Sequence, residues 1–199
     1  TSELLEEEPL DFSLMQQNLR TIEQSVMRID RIVLDLMDTV SIEQGRLALS
    51  LVPSDLGTLL HSAEKDFSSH PSSGNNQLVL TIQPDLPEIS ADPERLIQVV
   101  TNLISNAERH TRNGTITISL TGEPGWQTIC VSDTGTGMSE EMRKNALKGY
   151  VSADKDYWRH GIGLYVCHQI ITAHGGKIWL KSKEGEGTQV FFSLPEEES

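Results

Sequence analysis

Long apolar runs are missing from this chain, and so are paired cysteines, an excess of basic charge and internal repeats. No stretch approaches the roughly 18 apolar residues that a membrane-spanning helix needs, and the acidic first residues do not make a signal peptide. No direct contact of this chain with a membrane is therefore expected. The two cysteines, Cys130 and Cys167, lie in apolar surroundings and neither is spaced from a Cys or His as metal or redox pairs are. They are expected to be reduced core thiols, which implies a reducing, cytoplasmic setting. Acidic residues outnumber basic ones 29 to 16, for a formal net charge of -13. Such a surface repels a polyanion and argues against nucleic acid as a partner. Any smaller anion must be held by local devices, namely backbone N–H groups, a metal and a few cations. What is present, 37% hydrophobic residues in a chain of 199, suits one globular core with an appended element.

Leu19, Ile22, Val26, Ile29, Val33, Leu36 and Val40 recur at alternating steps of 3 and 4, which keeps one apolar stripe along a long helix closed by Gly45. So narrow a repeat favours pairing with other helices in a bundle, packing against the chain's own domain being the alternative. Residues 1–13 read as a linker or loop. Beyond Gly45 the composition shifts. Leu47, Leu49 and Leu51 alternate with Ala48 and Ser50 as in a strand, and Pro53-Ser54-Asp55 starts a helix reaching about Phe67. A loop over His70 to Asn76 precedes a strand over 77–83. Asp92-Pro93-Glu94 combines a capping carboxylate, a proline at the first helical position and an acidic first turn, so a helix is predicted to about His110. Strands follow at about 115–121 and 126–132 as a hairpin, then a helix after Ser139, another over 163–174 and two strands over 177–183 and 188–194. About five strands and three or four helices, in an order that is not a regular βαβ repeat, predict an α+β fold with helices on one face of a mixed sheet.

Chemistry concentrates in a few places. Glu94, Gln98, Asn102 and Asn106 step by four along the predicted helix and share one polar face, opposite an apolar face of Leu96, Val99, Val100, Leu103, Ile104 and Ala107. A water-facing stripe would account for this, but Asn is a modest helix former, and two at i, i+4 suggest a function. A carboxamide oxygen is a hard neutral ligand suited to Mg2+. In Asp133-Thr134-Gly135-Thr136-Gly137-Met138 a carboxylate at a strand end is followed by alternating glycines, which allow sharp turns and close approach of a ligand. Taken alone it is also a common turn. Arg159-His160-Gly161-Ile162-Gly163-Leu164 runs into an apolar helix and would expose N–H groups to a phosphate. Gly185-Glu186-Gly187-Thr188 by itself reads only as a turn.

In order, N-L-I-S-N-A-E-R-H-T at 102–111, V-S-D-T-G-T-G-M at 131–138, H-G-I-G-L at 160–164 and G-E-G-T at 185–188 resemble the N box and glycine boxes of sensor histidine kinases. The resemblance implies a catalytic domain over 46–199, with the two-layer α/β sandwich called the Bergerat ATP-binding fold. Residues 13–60 are similar to the second helix of the dimerisation domain and its link, so 1–45 would be a partial dimerisation helix and linker. It further implies ATP and Mg2+ as cofactors, Asn106 on the metal, Arg109 near the phosphates, and Asp133 on adenine N6 directly and through water. Gly135, Gly137, Met138 and Thr188 would line the adenine end. His160, Gly161, Ile162, Gly163 and Leu164 would line the phosphate end, with a lid over about 139–160 offering Lys144, Lys148, Lys155 and Arg159. His110 either stacks beside the nucleotide or is structural. A response-regulator receiver domain is the implied partner, with homodimerisation through the N-terminal helix of the full-length protein.

The family's phosphoacceptor pattern, H-[ED]-x-[RK]-x-P, fits none of the six histidines, so the implied acceptor lies outside this chain. Asn102 occupies the place where hydrolysing relatives carry a water-activating Glu, which argues against an efficient ATPase. Arg109-His110 and Arg159 depart from the family's common residues. These departures keep a second class in play, a non-catalytic module that docks a response regulator.

Overall fold

In a computed structural model of the protein the described residues are Met15, 47–69, 75–147 and 162–196. The long helix predicted over 19–40 lies outside them. Strands β1 (Val52–Ser54) and β3 (Ile89–Ala91) form an antiparallel ribbon. The main sheet contains β2 (Gln77–Ile82), β4 (Thr115–Glu123), β5 (Trp126–Asp133), β6 (Lys177–Ser182) and β7 (Thr188–Pro195), in the order β2-β4-β5-β7-β6. Its β2/β4 pair is parallel and the other three pairs are antiparallel. The described helices are α1 (Leu56–Ser69), α2 (Pro93–His110), α3 (Glu140–Asn145) and α4 (Ile162–Ala173). The α+β architecture expected from the sequence is thus present, and among the described residues no helix is long and apolar enough to cross a membrane.

Strand alternation decides which face is buried. Ile116, Ile118 and Leu120 of β4, Ile129 and Val131 of β5, and Phe192 and Leu194 of β7 are sealed in one core with α1, α2 and α4. Each such side chain contributes on the order of 1.5–3 kcal/mol by leaving water. Cys167 lies in this core, its Sγ 3.8 Å from the Val99 carbonyl. Cys130 does not: β5 alternation turns it to the opposite face, where it is half-buried in register with Ser119 and Phe191. The expectation of two core thiols is corrected for this one. Burial still pushes the Cys130 thiol up to about 11, so it is inert as a nucleophile at neutral pH.

The predicted start of α2 is realised in full. Asp92 caps it by accepting the Arg95 N–H at 3.1 Å, Pro93 follows, and Glu94 stands in the first turn. The other Asp92 carboxylate oxygen accepts the Ser50 N–H at 2.9 Å. Its own backbone N–H donates to His174 Nε2 at 3.0 Å, which leaves Nδ1 to donate to the Ile170 carbonyl at 2.8 Å. Burial pushes the Asp92 carboxyl up, but the Ser50 and Arg95 N–H groups and the Arg95 charge outweigh it and hold it below 3.8. Here the structure departs from the sequence reading. Residues 47–51 form no ladder: the Ser50 N–H is taken by a side chain, and pairing begins only at Val52.

Candidate functional site

One end of the site is built at the junction of β5, β7 and α2. Asp133 is the last residue of β5 and lies opposite Thr188, the first residue of β7. Its carboxylate accepts the Gly135 N–H at 2.8 Å and the backbone N–H of Thr188. Burial is the dominant influence and raises the carboxyl above its ordinary 3.8, opposed by these two N–H groups, the His110 charge and the Thr111 hydroxyl. An ionised carboxylate has about four acceptor positions, so two N–H donors leave room for the amine of a ligand.

The glycine loop after Asp133 is held on two sides. The Thr136 N–H donates to the His110 carbonyl at 3.1 Å, and a Cβ on Gly135 would sit 2.3 Å from that same oxygen. Gly137 has φ +65°, and a Cβ there would lie 2.0 Å from the Lys183 carbonyl. Both positions therefore need glycine for contact reasons. The Met138 N–H donates to Ser182 Oγ at 2.8 Å, and that oxygen in turn lies 2.9 Å from the Gly187 carbonyl and 3.0 Å from Thr188 Oγ1. Ser182 escaped the sequence reading. Its signal was a hydroxyl in the inward register of Ile178 and Leu180, at a strand end.

The other end lies between α2 and α4. Along the polar stripe Glu94 is exposed, Gln98 and Asn106 are half-buried and Asn102 is 5% exposed, so the stripe turns inward and the water-facing account fails for its second half. A Cβ on Gly163, in the first turn of α4, would lie 3.8 Å from Asn102 Nδ2 and 3.9 Å from Asn106 Nδ2. The two carboxamides thus face the start of a helix, where N–H groups and the dipole favour an anion. Among the described residues Asn102 Nδ2 is buried without a hydrogen-bond partner, which marks a position with unused polar capacity. Arg109 and His110 are exposed at the end of α2, and Leu164, in the first turn of α4, is buried. Lys144 is exposed on α3 and pairs with Glu140 at 2.7 Å. Ile162 opens α4, but its side chain lies outside the described residues, as do Lys148, Lys155, Arg159, His160 and Gly161.

Among the described residues no group of three or more His, Cys, Asp or Glu could hold a metal by itself. A half-buried carboxamide beside the start of α4 fits a hard cation that would take its oxygen as one ligand and the rest from an anion and water. Chemically, the arrangement can read an amine at Asp133 and bind an anion with a hard cation beside Asn106.

Residues 91–198, more than half of the chain, match the family described as histidine kinase-, DNA gyrase B-, and HSP90-like ATPase. The adaptive-response sensory kinase SasA of Synechococcus elongatus is 32% identical over 84% of this chain and 44% of its own length. Against the relatives it resembles, the chain spans half their length or less. Full-length ShkA in complex with AMPPNP superposes with a TM-score of 0.74 at 24% identity, covering 90% of this chain and 38% of that one. ThkA in complex with the response regulator protein TrrA gives 0.69 at 22% identity, covering 96% and 53%. These structures share the helix layer and mixed sheet described above, the Bergerat fold. With that fold and a family match over most of it, the chain belongs to the histidine kinase-, DNA gyrase B- and HSP90-like ATPase family.

Proposed function

We propose that this chain is the ATP-binding catalytic part of a sensor histidine kinase, which transfers the γ-phosphate of ATP to a histidine outside it. The observation that carries the assignment is a two-ended site: a buried carboxylate with spare acceptor capacity at Asp133, and two inward carboxamides facing the start of α4. Adenine's exocyclic amine donates to Asp133 directly and through water, with Gly135, Gly137, Met138 and Thr188 around it. The phosphates meet the N–H groups at the start of α4, from Gly161 to Leu164, with Arg109 and His110 close by. Asn106 offers its oxygen to Mg2+, which when bound neutralises phosphate charge for a transfer that needs mainly positioning. Asn102 has no carboxylate to take a proton from water, which favours transfer over hydrolysis.

Residues 46–199 act as the catalytic unit in this proposal, and 1–45 contribute half of a dimerisation hairpin through which the full-length protein pairs. A response-regulator receiver domain is the downstream partner, as TrrA is bound to ThkA. The unit works in the cytoplasm.

Calorimetric titration with a non-hydrolysable ATP analogue, with and without Mg2+, tests the site. Asp133→Ala should weaken binding roughly ten- to a hundredfold, the size of a hydrogen bond to a charged group. Asn106→Ala should lose the Mg2+ dependence while keeping adenine binding. Absence of binding by folded wild-type protein would overturn the ATP assignment and leave a response-regulator docking module. Phosphate transfer to a separately supplied acceptor helix tests the kinase step.

A further inference from the structure

Thr111 ends α2 with its side chain 0% exposed, yet its hydroxyl makes no well-formed hydrogen bond among the described residues. Its backbone, in contrast, is tied down: the carbonyl accepts Asn76 Nδ2 at 3.1 Å and Arg112 Nη1 at 3.2 Å. The neighbouring His110 carbonyl receives the Thr136 N–H of the glycine loop. A hydroxyl sealed from water without a partner costs the folded chain stability, and valine fills the same volume without that cost. The side chain is therefore poorly explained by packing.

A Cβ on Gly135 would lie 2.3 Å from the His110 carbonyl oxygen and 2.8 Å from Asp133 Oδ1, so the end of α2 that carries Thr111 is packed against this carboxylate, and the Thr111 hydroxyl favours its charged form. Several elements face this carboxylate. His110 at the end of α2 brings a titratable charge, while Gly135 from the loop and Thr188 from β7 bring N–H groups. We propose that Thr111 is a positioning residue for Asp133, its hydroxyl completing the donor set that keeps one carboxylate oxygen turned toward the nucleotide base. This rests on the assignment of Asp133 as the adenine acceptor. A protonated Asp133 would present an O–H to the adenine amine, donor against donor. A hydroxyl that donates to the carboxylate opposes that state.

The test uses this chain with Thr111→Val and Thr111→Ser, titrated with the non-hydrolysable ATP analogue between about pH 5 and pH 8. Thermal unfolding is measured alongside. Thr111→Val should fold with an unchanged or higher melting temperature, yet bind roughly three- to tenfold more weakly at the acid end, the size of one net hydrogen bond. The loss should shrink toward pH 8, so that the acid limb of binding moves to higher pH, and Thr111→Ser should restore the wild-type profile. Unchanged affinity at every pH, or an equal loss at every pH, overturns the proposal while leaving the Asp133 assignment intact. Tight binding by Asp133→Ala overturns both together.

Discussion

A carboxylate that works only when charged, placed where burial disfavours charge, costs stability in the empty chain. Burial raises Asp133 above 3.8, so in the window between 3.8 and its folded value the folded state binds more protons than the unfolded state. Stability then falls as pH rises through that window and is highest on the acid side. Asp133→Asn removes the charge and should raise the melting temperature at neutral pH, with the gain vanishing in acid where the wild-type group is already neutral. Scanning calorimetry at two pH values checks this, and a lower melting temperature at neutral pH would contradict it. Nucleotide affinity should fall in the same variant, because the acceptor face becomes partly a donor. Asp133 and Asn106 stand out as candidates in the sequence because a carboxylate at a strand end before glycines, and carboxamides four apart, are local patterns. Ser182 and Thr111 do not. What sets them apart is contact with residues far along the chain, as between Met138 and Ser182, and no spacing rule reports that.

At the level of elements, the site depends on α2 and α4 meeting with no side chain between the carboxamides and the first turn of α4. A Cβ on Gly163 would make only ordinary contacts of 3.8–3.9 Å with Asn102 and Asn106. Gly163→Ala should therefore fold at least as stably as wild type, gaining up to about 1 kcal/mol of helix propensity. Under the proposed function its methyl would nevertheless fill space meant for a phosphate and its metal, and affinity for the Mg2+-bound analogue should drop about tenfold or more. Unaltered affinity would show that phosphates do not approach α4 there. The bounds of α2 were readable because Asp92, Pro93 and Glu94 act within one turn. The β1/β3 ribbon was misread for the opposite reason. Leu47, Leu49 and Leu51 carry the alternation, but pairing goes to Val52–Ser54, whose partner Ile89–Ala91 is too short to signal itself.

For the whole molecule, an α+β sandwich could be foreseen from element types, whereas the sheet order could not, since it depends on which distant strands meet. β7 lies between β5 and β6, although β6 comes before it in the chain. Stopping the chain at about Glu186 would remove β7, leaving β5 with an open edge and β6 without its antiparallel neighbour. Such a product should unfold without cooperativity and aggregate, as circular dichroism melting and sedimentation would register. Cooperative melting of that product would show that β7 is dispensable. The same strand supplies Thr188, whose N–H helps to hold Asp133. On the ribosome, then, the sheet and the candidate site are completed together, once β7 has emerged. A polypeptide halted before Thr188 would lack one of the N–H donors that hold Asp133, and under the proposed function it should not take up nucleotide.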